Sequence, residues 1–151
     1  HNYLANNDSQ GYYNRGLGVY SIPCLFYHPN DKSIVGLNTK PFQQIDIMPT
    51  ILDYMNYPYA FFAFGKSGFD TSVSRSIFTL MNEANQFRLD DYVLTATDTI
   101  VTGVFNFRTD SLLTMEIKND SIRKVITNRF HAFKQLLHNN FINNTLTASS
   151  Y

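Results

Sequence analysis

Ile22-Pro23-Cys24-Leu25-Phe26-Tyr27-His28-Pro29 leads through a loop into Gln44-Ile45-Asp46-Ile47-Met48-Pro49-Thr50-Ile51-Leu52-Asp53-Tyr54-Met55. That run leads in turn to Phe62-Ala63-Phe64-Gly65-Lys66-Ser67-Gly68-Phe69-Asp70. The first piece lies within Val19 to Tyr27, which is β-branched, aromatic and largely apolar. Such a run predicts a strand buried on both faces. Pro23 cannot donate to a ladder, so it points to a sheet edge or a bulge. In the second piece Asp46 is placed as a helix N-cap, with Pro49 inside the first turn, where a missing N–H costs little. Ile47, Ile51, Leu52 and Met55 recur at helical spacing, and Asn56 and Pro58 end the helix. The third piece is a glycine turn. Together they read as half of a strand–helix layer that needs a partner sheet.

Working outward, residues 1–18 are polar and rich in turn formers, which predicts a surface loop. Beyond Asp70 the pattern changes. Ile77–Met81, Asn85–Leu89, Tyr92–Ala96 and Ile100–Phe107 are short β-rich runs separated by tight polar turns, and Leu112–Ile117 continues the pattern. Connections this short allow only antiparallel neighbours, so a meander is predicted. Asp120 or Ser121 then caps a long helix. Its apolar stripe is Ile122, Val125, Ile126, Phe130, Phe133, Leu136, Leu137 and Phe141, a face for packing onto a sheet. The fold class is α/β: a strand–helix layer over 1–70, then an antiparallel meander and an amphipathic helix over 71–151.

The 151 residues have room for one domain, or one domain plus a subdomain. Aromatics at 15%, with 13 Phe and 10 Tyr, argue for a packed core and against disorder. Twelve basic and twelve acidic residues cancel, and no Lys/Arg cluster offers a footprint for a phosphate backbone; nucleic acid is not an expected partner. Cys24 stands alone, so no internal disulfide is possible, and mid-strand it reads as a small buried hydrophobe. No apolar run is long enough to span a membrane. The chain opens on His1 without an initiator Met, from which a fragment or processed piece is expected, itself soluble.

The reactive side chains do not assemble into a constellation. His131 and His138 stand seven apart on the last helix, too far for a shared ion. His28-Pro29 reads mainly as a strand terminator. Asp8, Asp31, Asp46, Asp53 and Asp70 are scattered, while Asp90-Asp91 and Asp98 sit in hairpin turns, where aspartate is expected. Gly65-Lys66-Ser67-Gly68 lacks the frame of a phosphate loop. Neither a nucleophile elbow nor a dinucleotide fingerprint is present. Asn143-Asn144-Thr145 fits the short glycosylation sequon. No catalytic residue is assigned in this chain.

Read in order, the segments resemble the C-terminal region of sulfatase-like enzymes of the lipoteichoic acid synthase type, within the alkaline phosphatase superfamily. The matching pieces are Gly16-Leu17-Gly18-Val19-Tyr20, Ile22 to Pro29, Gln44 to Leu52 (the family's Gln-x-Asp-Ile-x-Pro-Thr-Ile-Leu), and Phe64 to Ser67. Phe105 to Ser111 matches loosely, with Ser111 where the family has Pro. The resemblance implies an alkaline-phosphatase-like layer over 1–70. It implies a divalent metal (Mn, Mg, Ca or Zn) and a Thr or modified Ser/Cys nucleophile acting on a phosphate or sulfate ester. A metal would neutralise the anion and lower the nucleophile's pKa. The family's Asp-His metal-ligand pair falls just before the loop that begins here, and His1 sits where that His would be. His1 is thus the metal ligand the resemblance assigns to this chain. The nucleophile would lie upstream and the fragment alone would be inactive. The parent would be a hydrolase, or a phosphoglycerol or phosphoethanolamine transferase, anchored in a bacterial inner membrane with its catalytic domain outside the cytoplasm. Its upstream part is the implied partner.

The rival reading is a non-catalytic, aromatic-rich binding module. Tyr12, Tyr13, Tyr57, Tyr59 and Phe61 would supply the stacking surface, although buried rings are the ordinary outcome for such residues. A piece without its sheet partners is also expected to expose an apolar face and self-associate.

Overall fold

The computed structural model describes Gly18 and residues 20–72, 74–81 and 84–147. Its elements are a short 3₁₀ turn Gln44–Asp46, helix α1 (Ile47–Tyr54), strands β1 (Ser76–Met81), β2 (Ala84–Leu89), β3 (Tyr92–Thr97) and β4 (Ile100–Asn106), and helix α2 (Asp120–Ile142). The four strands form one antiparallel sheet in the order β1-β2-β3-β4. The architecture is mixed α/β: an antiparallel meander with a long C-terminal helix.

The meander follows from its turns. Leu89 pairs with Tyr92 and Thr97 with Ile100, so Asp90-Asp91 and Asp98-Thr99 are two-residue loops. Asp90 and Asp98 hold φ of 51° and 52°, the left-handed region that tight hairpins demand and that aspartate tolerates. A register shift at Thr95/Ala96 interrupts the β3–β4 ladder, with Thr95 opposite Gly103 and Ala96 opposite Val101.

Strand alternation puts Phe78, Phe87, Leu94, Ala96 and Val104 on one side of the sheet. α2 covers that side with Ile126, Phe130 and Phe133. Phe87 and Phe130 meet at 5.9 Å between ring centres, and Phe78 and Phe133 at 5.2 Å. Each fully buried side chain here contributes about 1.5–3 kcal/mol of transfer free energy. Lys134 Nζ reaches Asp98 Oδ1 at 2.7 Å, and His131 Nε2 lies 3.1 Å from the Thr99 carbonyl, so α2 is tied to the β3–β4 turn.

Four expectations are corrected. The strand over Val19–Tyr27 is not formed in its described part, Tyr20–Tyr27, which runs without regular structure; Cys24 is exposed rather than buried. An apolar strand buries both faces only between neighbours, and no strand among the described residues pairs with it. Leu112–Ile117 is a turn region rather than a strand: only a Glu116–Phe105 bridge and the Ile117 N–H to Val104 carbonyl bond join it to β4. Asp110 bends the chain there, accepting from the Thr114 and Met115 amides at 2.6 Å each. The cap of α2 is Asn119, whose Oδ1 accepts from the Ile122 amide at 3.1 Å, one residue before the expected Asp120 or Ser121. β4 closes at Asn106, one residue short of Phe107.

Candidate functional site

Asp46 stands at the N-cap position of α1, yet its carboxylate caps no amide of that helix. It turns back to accept from the Gln43 amide at 3.0 Å and across to accept from the Lys66 amide at 2.8 Å. Arg75 Nη1 lies 3.6 Å from Asp46 Oδ2, with both side chains more than nine-tenths buried. One turn on, Thr50 Oγ1 donates to the Asp46 carbonyl at 2.6 Å and accepts from the Gly68 amide at 2.8 Å. A further turn on, the Ser67 hydroxyl donates to the Asp53 carboxylate. Asp46, Thr50 and Asp53 thus form one polar stripe, and the 65–70 loop is laid along it.

Glycine makes the approach possible. A Cβ on Gly65 would stand 2.0 Å from the Ile45 carbonyl oxygen, so no larger residue fits without moving backbone. Arg75 closes the loop from below, donating through Nη2 to the Ser67 carbonyl and, at 3.3 Å, to that of Asp70. Its Nε and Nη1 have no hydrogen-bond partner among the described residues, so the guanidinium charge depends on Asp46.

The consequence is a helix that shows part of its apolar side, with Ile47 and Leu52 half-buried. α1 buries Pro49 and Thr50, while Met48, Ile51 and Met55 are exposed, as is Ile45 just before it. Tyr57, Tyr59 and Phe61 follow, all exposed: the Tyr57 ring lies 5.4 Å from Tyr59 and 6.4 Å from Phe61. The ordinary expectation of buried rings is overturned for these three. A cleft of about 1120 Å³ separates residues 20–26 and 34–45 from β1 and the end of α2. Leu25, Leu37, Phe42, Leu80 and Leu137 line it.

A second polar group surrounds Tyr54. Its hydroxyl donates to Asp31 Oδ2 at 2.5 Å and its ring lies 6.2 Å from that of His28. The Tyr54 bond, aided by Ser33, holds the Asp31 carboxyl down at about 2, and raises the Tyr54 phenol in return. His28 Nδ1 accepts weakly from the Asn30 amide at 3.4 Å, so the imidazole serves its own turn.

His1, Asp8, Tyr12 and Tyr13 lie outside the described residues. Among the described residues no group of three or more His, Cys, Asp or Glu is placed to hold a metal, and no helix is long and apolar enough to cross a membrane. Asp70 keeps its carboxyl below the usual range by accepting from the Ser72 hydroxyl and amide, a local turn rather than a site. Two functional side chains carry no sequence signal of their role. Gln43 reaches β1, 33 residues on, and Arg75 meets Asp46 across the loop; neither spacing belongs to a local motif.

Compared with protein-family models, curated proteins and solved structures, the chain matches none.

Proposed function

We propose that this chain is the C-terminal portion of a sulfatase-like, metal-dependent hydrolase or phosphoglycerol/phosphoethanolamine transferase acting on phosphate or sulfate esters. One observation carries the reading. The two most motif-like segments, Gln44–Leu52 and Phe64–Ser67, grip each other through Asp46 and Gly65, which leaves Met48 and Ile51 of α1 exposed. A unit built this way suits the flank of a larger α/β layer, where that side would pack. On this reading the described residues are scaffold and cleft wall. The nucleophile and most metal ligands belong to the upstream polypeptide, with His1 as this chain's contribution. The parent would be membrane-anchored, its catalytic domain outside a bacterial cytoplasm. The test is the coding sequence upstream of His1. An Asp just before it, and a Thr, Ser or Cys nucleophile farther up, are expected; lack of either overturns the proposal.

The exposed rings favour a second reading, in which Tyr57, Tyr59 and Phe61 stack on a glycan. A glycan-binding screen on the chain, repeated with Tyr59→Ala, decides it. Binding that the substitution abolishes supports this reading, and no binding ends it.

A further inference from the structure

Gln43, half-buried, joins the 20–70 region to the first residues of β1. Its Nε2 donates to the Ser76 carbonyl at 3.0 Å, and its Oε1 accepts from the Phe78 amide at 3.3 Å. A carboxamide has the donor and acceptor of a peptide unit, so Gln43 offers β1 what one unit of a neighbouring strand would offer.

The main chain of the same residue serves Asp46. The Gln43 amide donates to Asp46 Oδ2 at 3.0 Å, and that oxygen lies 3.6 Å from Arg75 Nη1. Arg75 directly precedes Ser76. The contacts therefore close a ring: Asp46 to Gln43, Gln43 to Ser76, along the chain to Arg75, and Arg75 back to Asp46. The 65–70 loop hangs on this ring. Asp46 Oδ1 holds the Lys66 amide, and Thr50 Oγ1, itself bonded to the Asp46 carbonyl, holds that of Gly68. The core under α2 is apolar and contains no member of the ring.

We propose that Gln43 is a catch: residues 20–70 come away from the sheet as one unit, and that opening requires Gln43 to let go of β1. Release breaks the ring and frees Asp46 with the loop it holds. It widens the cleft that Gln43 lines, between residues 34–45 and β1. The Phe64 ring, stacked 6.5 Å from that of Phe141, parts in the same motion. The sheet and α2 stay folded, because their core is their own. The catch does not rest on the enzyme reading above and stands or falls separately.

The experiment is native-state hydrogen exchange, read amide by amide, on the unaltered chain and on Gln43→Met. Methionine keeps the length of the side chain and removes both its donor and its acceptor. The Phe78 amide loses its acceptor and with it its protection. The Lys66 and Gly68 amides, whose own acceptors are intact, should exchange faster by one common factor, roughly ten- to a hundredfold for two lost hydrogen bonds. The Leu94 amide, in the central strand β3, should keep its rate. If Gln43→Met fails to fold, the unaltered chain serves instead: in rising denaturant, Phe78, Lys66 and Gly68 should share one opening free energy, below that of Leu94. A variant in which Phe78 alone speeds up makes Gln43 an edge cover and overturns the proposal. So do an unchanged Phe78 amide, Lys66 and Gly68 amides that change by different factors, and a Leu94 amide that speeds up with them. In the unaltered chain, separate openings of Phe78 and Lys66, or one opening shared with Leu94, overturn it as well.

Discussion

Residues 20–70 and residues 74–142 are held together by opposite means. The second region hides its apolar side chains: Phe87, Leu94, Val104, Ile126 and Phe130 are at most 1% exposed. The first hides Asp46 and Thr50 of its polar stripe and shows its apolar side chains. Of the 23 large hydrophobic residues exposed among the described ones, 15 lie between Tyr20 and Phe69. The sheet and α2 close their own core. The 20–70 region is tied by hydrogen bonds to its backbone and leaves most of its large apolar side chains exposed.

The largest test of this contrast sets one residue from each region side by side. Phe130→Ala should cost about 3–5 kcal/mol by opening a cavity beneath α2. Asp46→Ala should cost a similar amount, about 3–5 kcal/mol, because it strands the buried Arg75 charge and releases two amides. Denaturant titration checks both. An Asp46→Ala chain of unchanged stability would mean the polar stripe is decoration.

Next comes Gly65→Ala, expected to cost about 1–3 kcal/mol through backbone displacement at Ile45, against almost nothing for alanine at the open Gly36 were its φ ordinary. Thermal unfolding of the Gly65 variant is the check.

Acid should loosen the junction between sheet and α2. Burial pushes the Asp110 carboxyl up, but the Met115 and Thr114 amides outweigh it and hold the group below its ordinary value. A depressed carboxyl stabilises the fold above its unfolded pKa of about 4, and loses that contribution as pH falls through the folded value. Asp110→Asn should flatten this part of the acid transition, followed by circular dichroism against pH. An unchanged acid profile would remove Asp110 from the account.

The smallest effect is the most telling. Met48→Ser and Ile51→Ser should shift stability by no more than about 0.5 kcal/mol, since both side chains already face water. A cost of several kcal/mol would show that the apolar side of α1 is covered in the chain alone.

The meander and the long helix are legible in the sequence because their determinants are local. Asp90 and Asp98 mark the turns, alternation marks the strands, and the Ile126-Phe130-Phe133 spacing marks the buried face of α2. Asp46 is legible as a helix start but not as a hub, since its partners Lys66 and Arg75 come from a loop that no periodicity links to it. Apolar content in Tyr20–Tyr27 reads as a buried strand for want of one fact, the presence of neighbours, which composition does not contain. Gln43 is silent for the same reason: its target is a strand edge.

The two-residue turns at Asp90 and Asp98 also bear on the order of folding. Contacts across them join residues close in sequence, so the loop-closure entropy of the β2-β3-β4 hairpins is small. The Asp46–Arg75 contact closes a much longer loop. The hairpins should therefore stand in the folding transition state while the Asp46 stripe assembles afterwards. In stopped-flow kinetics, Asp46→Ala should speed unfolding and leave the refolding rate nearly untouched, whereas Leu94→Ala should slow refolding.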